Sequence, residues 1–179
     1  MSATGAAPDG VIVGPQSTET LWFLGTLVRL KLDGEQTGGR FALWEGVFPR
    51  GAAPPLHSHP QDETIYLLEG EMTGWVVPDG RVDPAAWASE GQRLGPGGVL
   101  YAPGGVPHTF RVESDTARVI VLSAPAGIED MVRGLAEPAR WPWLQPPPDG
   151  PRVPAERVAE VERRTGMLRH GPPPPPLGA

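Results

Sequence analysis

Glycine and proline limit the folds open to this chain more than any other feature of its sequence. There are 24 of each among 179 residues, a share that often accompanies disorder. Here they mostly separate short apolar runs, which is the pattern of turns in an all-β domain. The length suits one domain with a sizeable core. We predict strands at 21–32, 41–48, 71–77, 98–102, 108–112 and 117–125.

The first of these runs admits two interpretations. Its apolar content permits a helix, although Gly25 weakens one. Val28, Leu30 and Leu32 alternate with charged residues, and this period of two favours a strand. The most apolar run, 117–125, is predicted to be a central strand.

Helical spacing appears only after the strands end. Four apolar residues between 128 and 135 recur at i, i+3, i+4 and i+7, which predicts a short amphipathic helix. A second helix is predicted from Pro154 to a stop at Gly166. The proline run 172–176 is predicted to be a mobile tail. The predicted organisation is an N-terminal arm at 1–20, a single domain at 21–125 and a helical and extended segment at 126–179.

Two parts of this organisation stay open at the level of sequence. Residues 1–20 are small and polar, and either add an edge strand, cross to a partner, or fray. Residues 78–97 carry several glycines and prolines and are predicted to form a long loop.

Charge and composition exclude several classes of partner. The net charge is −6 and no lysine or arginine cluster resembles a phosphate footprint, so nucleic acid is not expected. No apolar run is long enough to span a bilayer. The first ten residues lack the basic and apolar regions of a secretory signal, so a cytoplasmic location is expected. The absence of cysteine excludes disulfides and thiolate chemistry.

The densest cluster of side chains able to bind a metal lies within residues 51–70. Without cysteine, a transition metal must be held by imidazole and carboxylate groups. His57 and His59 are two residues apart, so in a strand both side chains point the same way. Pro60 interrupts strand pairing, and Glu63 lies at the start of the next segment, close enough to reach the same ion.

A fourth ligand is predicted far along the chain. His108 follows a turn rich in glycine and proline and begins another strand. A histidine pair by itself is a weak sign of metal binding, so the interpretation depends on the wider pattern. Strand parity places apolar residues on the same faces as the ligands, while Tyr101 either reaches the pocket or packs in the sheet. The predicted pocket residues are Ile65, Leu67, Phe110, Val112 and Tyr101.

The spacing of these residues resembles the two sequence motifs of the cupin superfamily. The first motif, G-x5-H-x-H-x3-E-x6-G, is matched at every spacing by Gly51, His57, His59, Glu63 and Gly70. The second motif, G-x5-P-x-G-x2-H-x3-N, is matched by Gly97, Pro103, Gly105 and His108, with Val112 in place of the final asparagine.

The resemblance covers residues 20–125 and implies a particular fold. It implies an all-β, double-stranded β-helix, the cupin jelly-roll barrel, here with short C-terminal helices. One divalent transition metal ion (Fe, Mn, Ni, Co, Cu or Zn) would lie inside the barrel, held by the four predicted ligands. The resemblance also implies a homodimer.

Longer segments, including LWFLGTLVRL and PRGAAPPLHSHPQDETIYLLEGE, are similar to bacterial single-domain quercetin dioxygenase-like cupins. This resemblance implies an oxidoreductase that cleaves a flavonol-like or other enolic or phenolic aromatic substrate with O2, with Glu63 as ligand and general base. Two alternatives remain. One is a cupin enzyme that does not use oxygen, such as an isomerase, a lyase or a tailoring enzyme of secondary metabolism. The other is a cupin that binds a small molecule without chemistry.

Overall fold

The computed structural model describes residues 10–15, 18–78, 90–147 and 153–176, which form two antiparallel β-sheets and three helices. The seven-stranded sheet has the order β11-β1-β2-β3-β10-β5-β8, and the five-stranded sheet has the order β12-β4-β9-β6-β7. The strands are β1 Glu19–Phe23, β2 Thr26–Leu32, β3 Ala42–Pro49, β4 Leu56–Ser58, β5 Asp62–Glu69, β6 Met72–Val76, β7 Gln92–Leu94, β8 Val99–Ala102, β9 His108–Val112, β10 Thr116–Ala124, β11 Ala136–Pro138 and β12 Leu168–Gly171. The helices are α1 Gly34–Thr37, α2 Ile128–Leu135 and α3 Ala155–Thr165. The all-β jelly-roll prediction with short C-terminal helices is confirmed.

The core lies between the two sheets and follows from alternation along the strands. In β10, Ala117, Val119 and Val121 are fully buried, while the residues between them are more exposed. Strand β10 pairs with both β3 and β5, so the predicted central position of this apolar run is confirmed.

The predicted strand at 21–32 is two strands joined by a tight turn. Leu24 and Gly25 both have positive φ, 47° and 87°, and they connect β1 to β2 as a hairpin. Positive φ at both central residues suits the right-handed twist of paired strands. The prediction of one continuous strand was wrong because Gly25 marks a turn inside an apolar run.

The C-terminal segment contains both predicted helices and two strands that were not predicted, β11, which pairs with β1, and β12. Helix α3 ends at Gly166, whose φ of 74° is left-handed, as its predicted role as a stop requires. Strand β12 then joins the five-stranded sheet beside β4. The proline run continues along this sheet: the carbonyl of Pro172 accepts from the Leu56 amide at 3.4 Å, and that of Pro175 accepts from the Arg111 side chain. These contacts place the described residues 172–176 against the sheet, and the predicted mobility of this tail stays a prediction.

Two predicted segments fall partly outside the described residues. Of the arm at 1–20, residues 10–15 contain no strand, while Glu19 and Thr20 begin β1. The predicted loop at 78–97 includes the undescribed residues 79–89, and the prediction was wrong at 92–94, which form β7 beside β6. No helix within the described part of the chain has the length and apolar character needed to cross a membrane.

Candidate metal centre

Three strands from both sheets bring the four predicted ligands together. His57 lies on β4, with His59 one residue past its end, Glu63 lies on β5 and His108 opens β9. His57 and His108 are directly opposed in the β4–β9 pairing. One ligand atom from each residue lies within 4.8 Å of the others. All four side chains are buried, with 2–8% of each residue exposed.

Backbone carbonyls orient two of the imidazole rings. Nδ1 of His57 donates to the Pro55 carbonyl at 2.7 Å, and Nδ1 of His108 donates to the Val106 carbonyl at 2.9 Å. When these rings are neutral, the hydrogen bonds place the proton on Nδ1 and leave the lone pair of Nε2 free to bind a metal. Metal-binding histidines are usually oriented by a hydrogen bond of this kind. Three imidazoles and one carboxylate form a donor set suited to a divalent transition metal.

The carboxylate of Glu63 joins two of the rings. Its Oε2 is 2.8 Å from Nε2 of His108 and 3.3 Å from Nε2 of His59. Burial favours the protonated acid, but hydrogen bonds from His108 and His59 outweigh it, so the pKa of Glu63 lies well below its usual range. The carboxylate is therefore ionised in the metal-free protein.

The histidines respond differently to the same environment. Burial opposes the charge of His108, but its hydrogen bond to Glu63 and the charge of that carboxylate prevail and raise the pKa of His108. Burial, followed by the nearby His108, lowers the pKa of His57 from 6.5 to about 4. Without a metal, both ring nitrogens of His108 face acceptors, the Val106 carbonyl and Glu63, an arrangement that favours an ion pair with Glu63 beside a neutral His57. A metal must displace the proton of His108 in order to bind its Nε2.

A cavity of about 250 Å³ opens beside this cluster. Its lining is mostly apolar, and Phe48 and Phe110 meet in it edge to face, with ring centroids 5.1 Å apart. Helices α2 and α3, together with residues Met167 and Arg169, line one part of the wall. Sequence reasoning missed this contribution, although the amphipathic spacing of α2 showed that its apolar face needed cover.

The predicted pocket residues lie in three different places. Phe110 lines the cavity. Ile65, Leu67 and Val112 are buried in the barrel core instead of lining this cavity. Tyr101 is 52% exposed, and its hydroxyl group donates a hydrogen bond to the Asp62 carboxylate at 3.3 Å.

The placement of Tyr101 corrects both interpretations of that residue. Strand β8 alternates, with Leu100 and Ala102 buried and with Val99 and Tyr101 exposed. Tyr101 therefore lies on the outer face of the sheet, neither in the pocket nor in the core.

His170 was not predicted to be a ligand and lies outside the group of four. Its Nε2 is 2.8 Å from the hydroxyl of Ser58, the residue between His57 and His59.

The fold and the site together define a β-barrel protein with a three-histidine, one-glutamate centre beside an apolar cavity. A family model described as "Cupin domain" matches residues 44–125. The match covers 82 of the chain's 179 residues and confirms the resemblance to cupins seen in the two motifs.

Among curated proteins, the chain is similar to quercetin 2,3-dioxygenase of Bacillus subtilis (strain 168), with 29% identity over 107 residues. The aligned part is 58% of this chain but only 28% of that relative. The similarity supports a cupin that resembles quercetin dioxygenase-like proteins.

Three solved structures share the fold. The polyketide cyclase RemF from Streptomyces resistomycificus is 24% identical, with a TM-score of 0.50 over 65% of this chain and 80% of that one. KdgF from Halomonas sp. is 19% identical, with a TM-score of 0.52 over 65% and 94% of the two chains. Oxalate decarboxylase from Bacillus subtilis is 18% identical, with a TM-score of 0.52 over 66% and 31%.

Proposed function

We propose that this protein is a metal-dependent dioxygenase that cleaves a flavonol-like or other enolic or phenolic aromatic substrate with O2. The observation that carries the proposal is the four-residue cluster beside an apolar cavity, whose wall includes His57, Glu63 and His108. Similarity to a quercetin 2,3-dioxygenase supports the same reaction class.

The ligands in this proposal are His57, His59, Glu63 and His108. When bound, a divalent transition metal supplies Lewis acidity toward a substrate hydroxyl and the redox chemistry that O2 requires. The donor set is compatible with Fe, Mn, Ni, Co, Cu or Zn, because geometry and metal availability decide which of these ions a nitrogen and oxygen site holds in the cell. Zn would supply Lewis acidity only.

In the proposed reaction Glu63 also handles a proton. It is the carboxylate of the cavity wall that lies among the imidazoles. An enolic or phenolic substrate must lose its hydroxyl proton, and a buried carboxylate within reach can accept it. Ligation of His108 and His59 would remove the two hydrogen bonds that lower the pKa of Glu63, while the positive charge of the metal would itself lower this pKa.

The rest of the wall orients the substrate and excludes water. Trp44, Phe48 and Phe110 present aromatic surfaces, and Pro54 and Pro55 present rigid apolar ones. Aromatic rings pack favourably against such faces. A flat aromatic ligand therefore fits this wall better than a polar sugar, which would need hydrogen-bonding groups.

The test is aerobic incubation of the metal-loaded protein with quercetin. Loading with Fe, Mn, Co or Ni is expected to give loss of the visible absorbance together with oxygen uptake. The His59→Ala variant, which lacks one ligand, is the control and is expected to be inactive. Failure to turn over any enolisable aromatic with any of these metals would refute the proposal.

The same donor set supports a second candidate, a cupin enzyme that uses the metal only as a Lewis acid. Turnover that persists without oxygen would select this candidate. Binding of an aromatic ligand without any turnover would instead select a non-catalytic cupin. The homodimer and the cytoplasmic location stay predictions, for light scattering and cell fractionation to test.

A further inference from the structure

Two charged side chains line the cavity in addition to the metal cluster. They are Glu162 on α3 and Arg169 on β12. Every other described lining residue outside the cluster is uncharged. Both residues lie beyond 44–125, the range that the family model matches.

Strand pairing directs Arg169 toward the cavity. Strand β12 pairs antiparallel with β4, and Arg169 is directly opposite His57. Opposed residues of an antiparallel pair project from the same face of the sheet. The guanidinium therefore lies on the face that carries the first metal ligand.

The guanidinium is only partly engaged by the protein. Its Nε and Nη2 both lie close to one oxygen of Glu162, Oε1, at 2.7 and 2.5 Å. Arginine has five N–H donors, and Nη1 has no hydrogen-bond partner among the described residues. The Arg169 side chain is 51% exposed and that of Glu162 is 17% exposed. An incoming group can therefore reach the guanidinium from the solvent side.

We propose that Arg169 is a specificity residue that binds an acidic group of the ligand, a carboxylate or a phenolate, while the aromatic part occupies the apolar cavity. The inference rests on the proposed function only in taking this cavity as the substrate site. Ligand pockets are mostly apolar with a few polar groups that fix orientation. The planar guanidinium is well suited to bind a carboxylate. Glu162 holds the guanidinium of Arg169 in position and competes with the ligand for the same guanidinium.

The competing explanation is that the ion pair only attaches β12 to α3. A pair with a half-exposed partner contributes little to stability, and two substitutions separate the explanations. Arg169→Gln removes the cation. Glu162→Gln keeps the cation and removes its competitor, so it should strengthen binding of an anion. A purely structural attachment predicts no such opposite effects.

The experiment is calorimetric titration of the metal-loaded full chain, without oxygen, with two probes of the same shape. Naphthalene-2-sulfonate is anionic and a weak metal ligand, and methyl 2-naphthyl sulfone is its neutral counterpart, with no acidic N–H that could bind the metal. The wild-type protein is expected to prefer the sulfonate. In Arg169→Gln the affinity for the sulfonate should fall about three- to tenfold and the affinity for the sulfone should not change. In Glu162→Gln the affinity for the sulfonate should rise.

Arg157→Gln is the matched control. Arg157 lies on α3, the helix that carries Glu162, and pairs with Glu160 at 3.0 Å, but neither Arg157 nor Glu160 lines the cavity. This variant should keep the wild-type preference for the sulfonate.

An unchanged preference in Arg169→Gln would overturn the inference. Weaker sulfonate binding in Glu162→Gln would also overturn it, as would failure of both probes to bind a protein that turns over a flavonol. Because the readout is binding, a sulfonate preference that depends on Arg169 would support the inference even if no dioxygenation is found.

Discussion

The effect of pH on the stability of the metal-free protein tests the electrostatics of the centre most directly. Burial and the neighbouring His108 lower the pKa of His57 from 6.5 to about 4 in the folded protein. Between these values the unfolded chain binds a proton that the folded protein does not. Acid therefore favours unfolding, and the loss of stability begins as the pH falls through 6.5 and is complete near pH 4.

The size of the effect follows from the pKa difference. At about 1.4 kcal/mol per pKa unit, the full loss attributable to His57 is about 3 kcal/mol at pH values below its folded pKa. Between about pH 7.5 and about pH 5, the part of this loss that develops is about 2 kcal/mol. The side chain is almost fully buried, so solvent screening reduces this figure little.

The comparison is between the wild-type protein and His57→Asn, both stripped of metal. Asparagine does not titrate and retains a donor for the Pro55 carbonyl. Urea unfolding at the two pH values gives the stability advantage of wild type over the variant, and that advantage should fall by about 2 kcal/mol in acid. Contributions of titrating groups outside the cluster largely cancel in this difference. Parallel pH dependence of the two proteins would refute the reasoning.

Three further predictions concern the ligands and the turns. His59→Ala is expected to lose bound metal, measured by elemental analysis, whereas His170→Ala keeps it because His170 lies outside the cluster; equal metal content would contradict the assignment. Gly70→Ala should cost about 2 kcal/mol or more of unfolding free energy, since φ is 90° and the new Cβ would lie 2.3 Å from a carbonyl oxygen. Gly97→Ala, at φ 88° in open space, should cost about 1 kcal/mol, and equal losses would show that the contact is unimportant. Leu24→Asn should stabilise the β1–β2 hairpin by about 0.5–1 kcal/mol, because Leu24 has a φ of 47°; lower stability in urea unfolding would count against a turn strained at this residue.

The ligands of the centre were predictable because their positions depend on short-range geometry. Two histidines in one strand share a face whatever the rest of the fold does. Pro60 then lies between β4 and β5, and Glu63 is the second residue of β5, close enough in sequence to reach the same site. His108 was found through motif spacing, and only the β4–β9 pairing shows that it lies opposite His57.

The lining of the cavity was less predictable because parity does not identify which face is inside. In Val99–Ala102 most side chains are apolar, so the sequence contains no alternation to read. The pairing of Tyr101 with Thr64 on β5 decides that Tyr101 faces outward. Ile65 and Leu67 do share the face of Glu63, as parity predicted, but lie deeper in the core.

The sequence by itself determined the all-β class, the two C-terminal helices and the group of four candidate ligands, because these depend on local periodicity and on fixed spacings. Tertiary structure alone decided what closes the site. Ser58 and His170 are 112 residues apart in the sequence but in contact in the structure, because β12 pairs with β4, the strand that contains His57. Contacts of this kind depend on how the whole chain packs, since no local pattern specifies which strand an edge will pair with. The Arg169–Glu162 pair at the cavity is visible only after that packing is known.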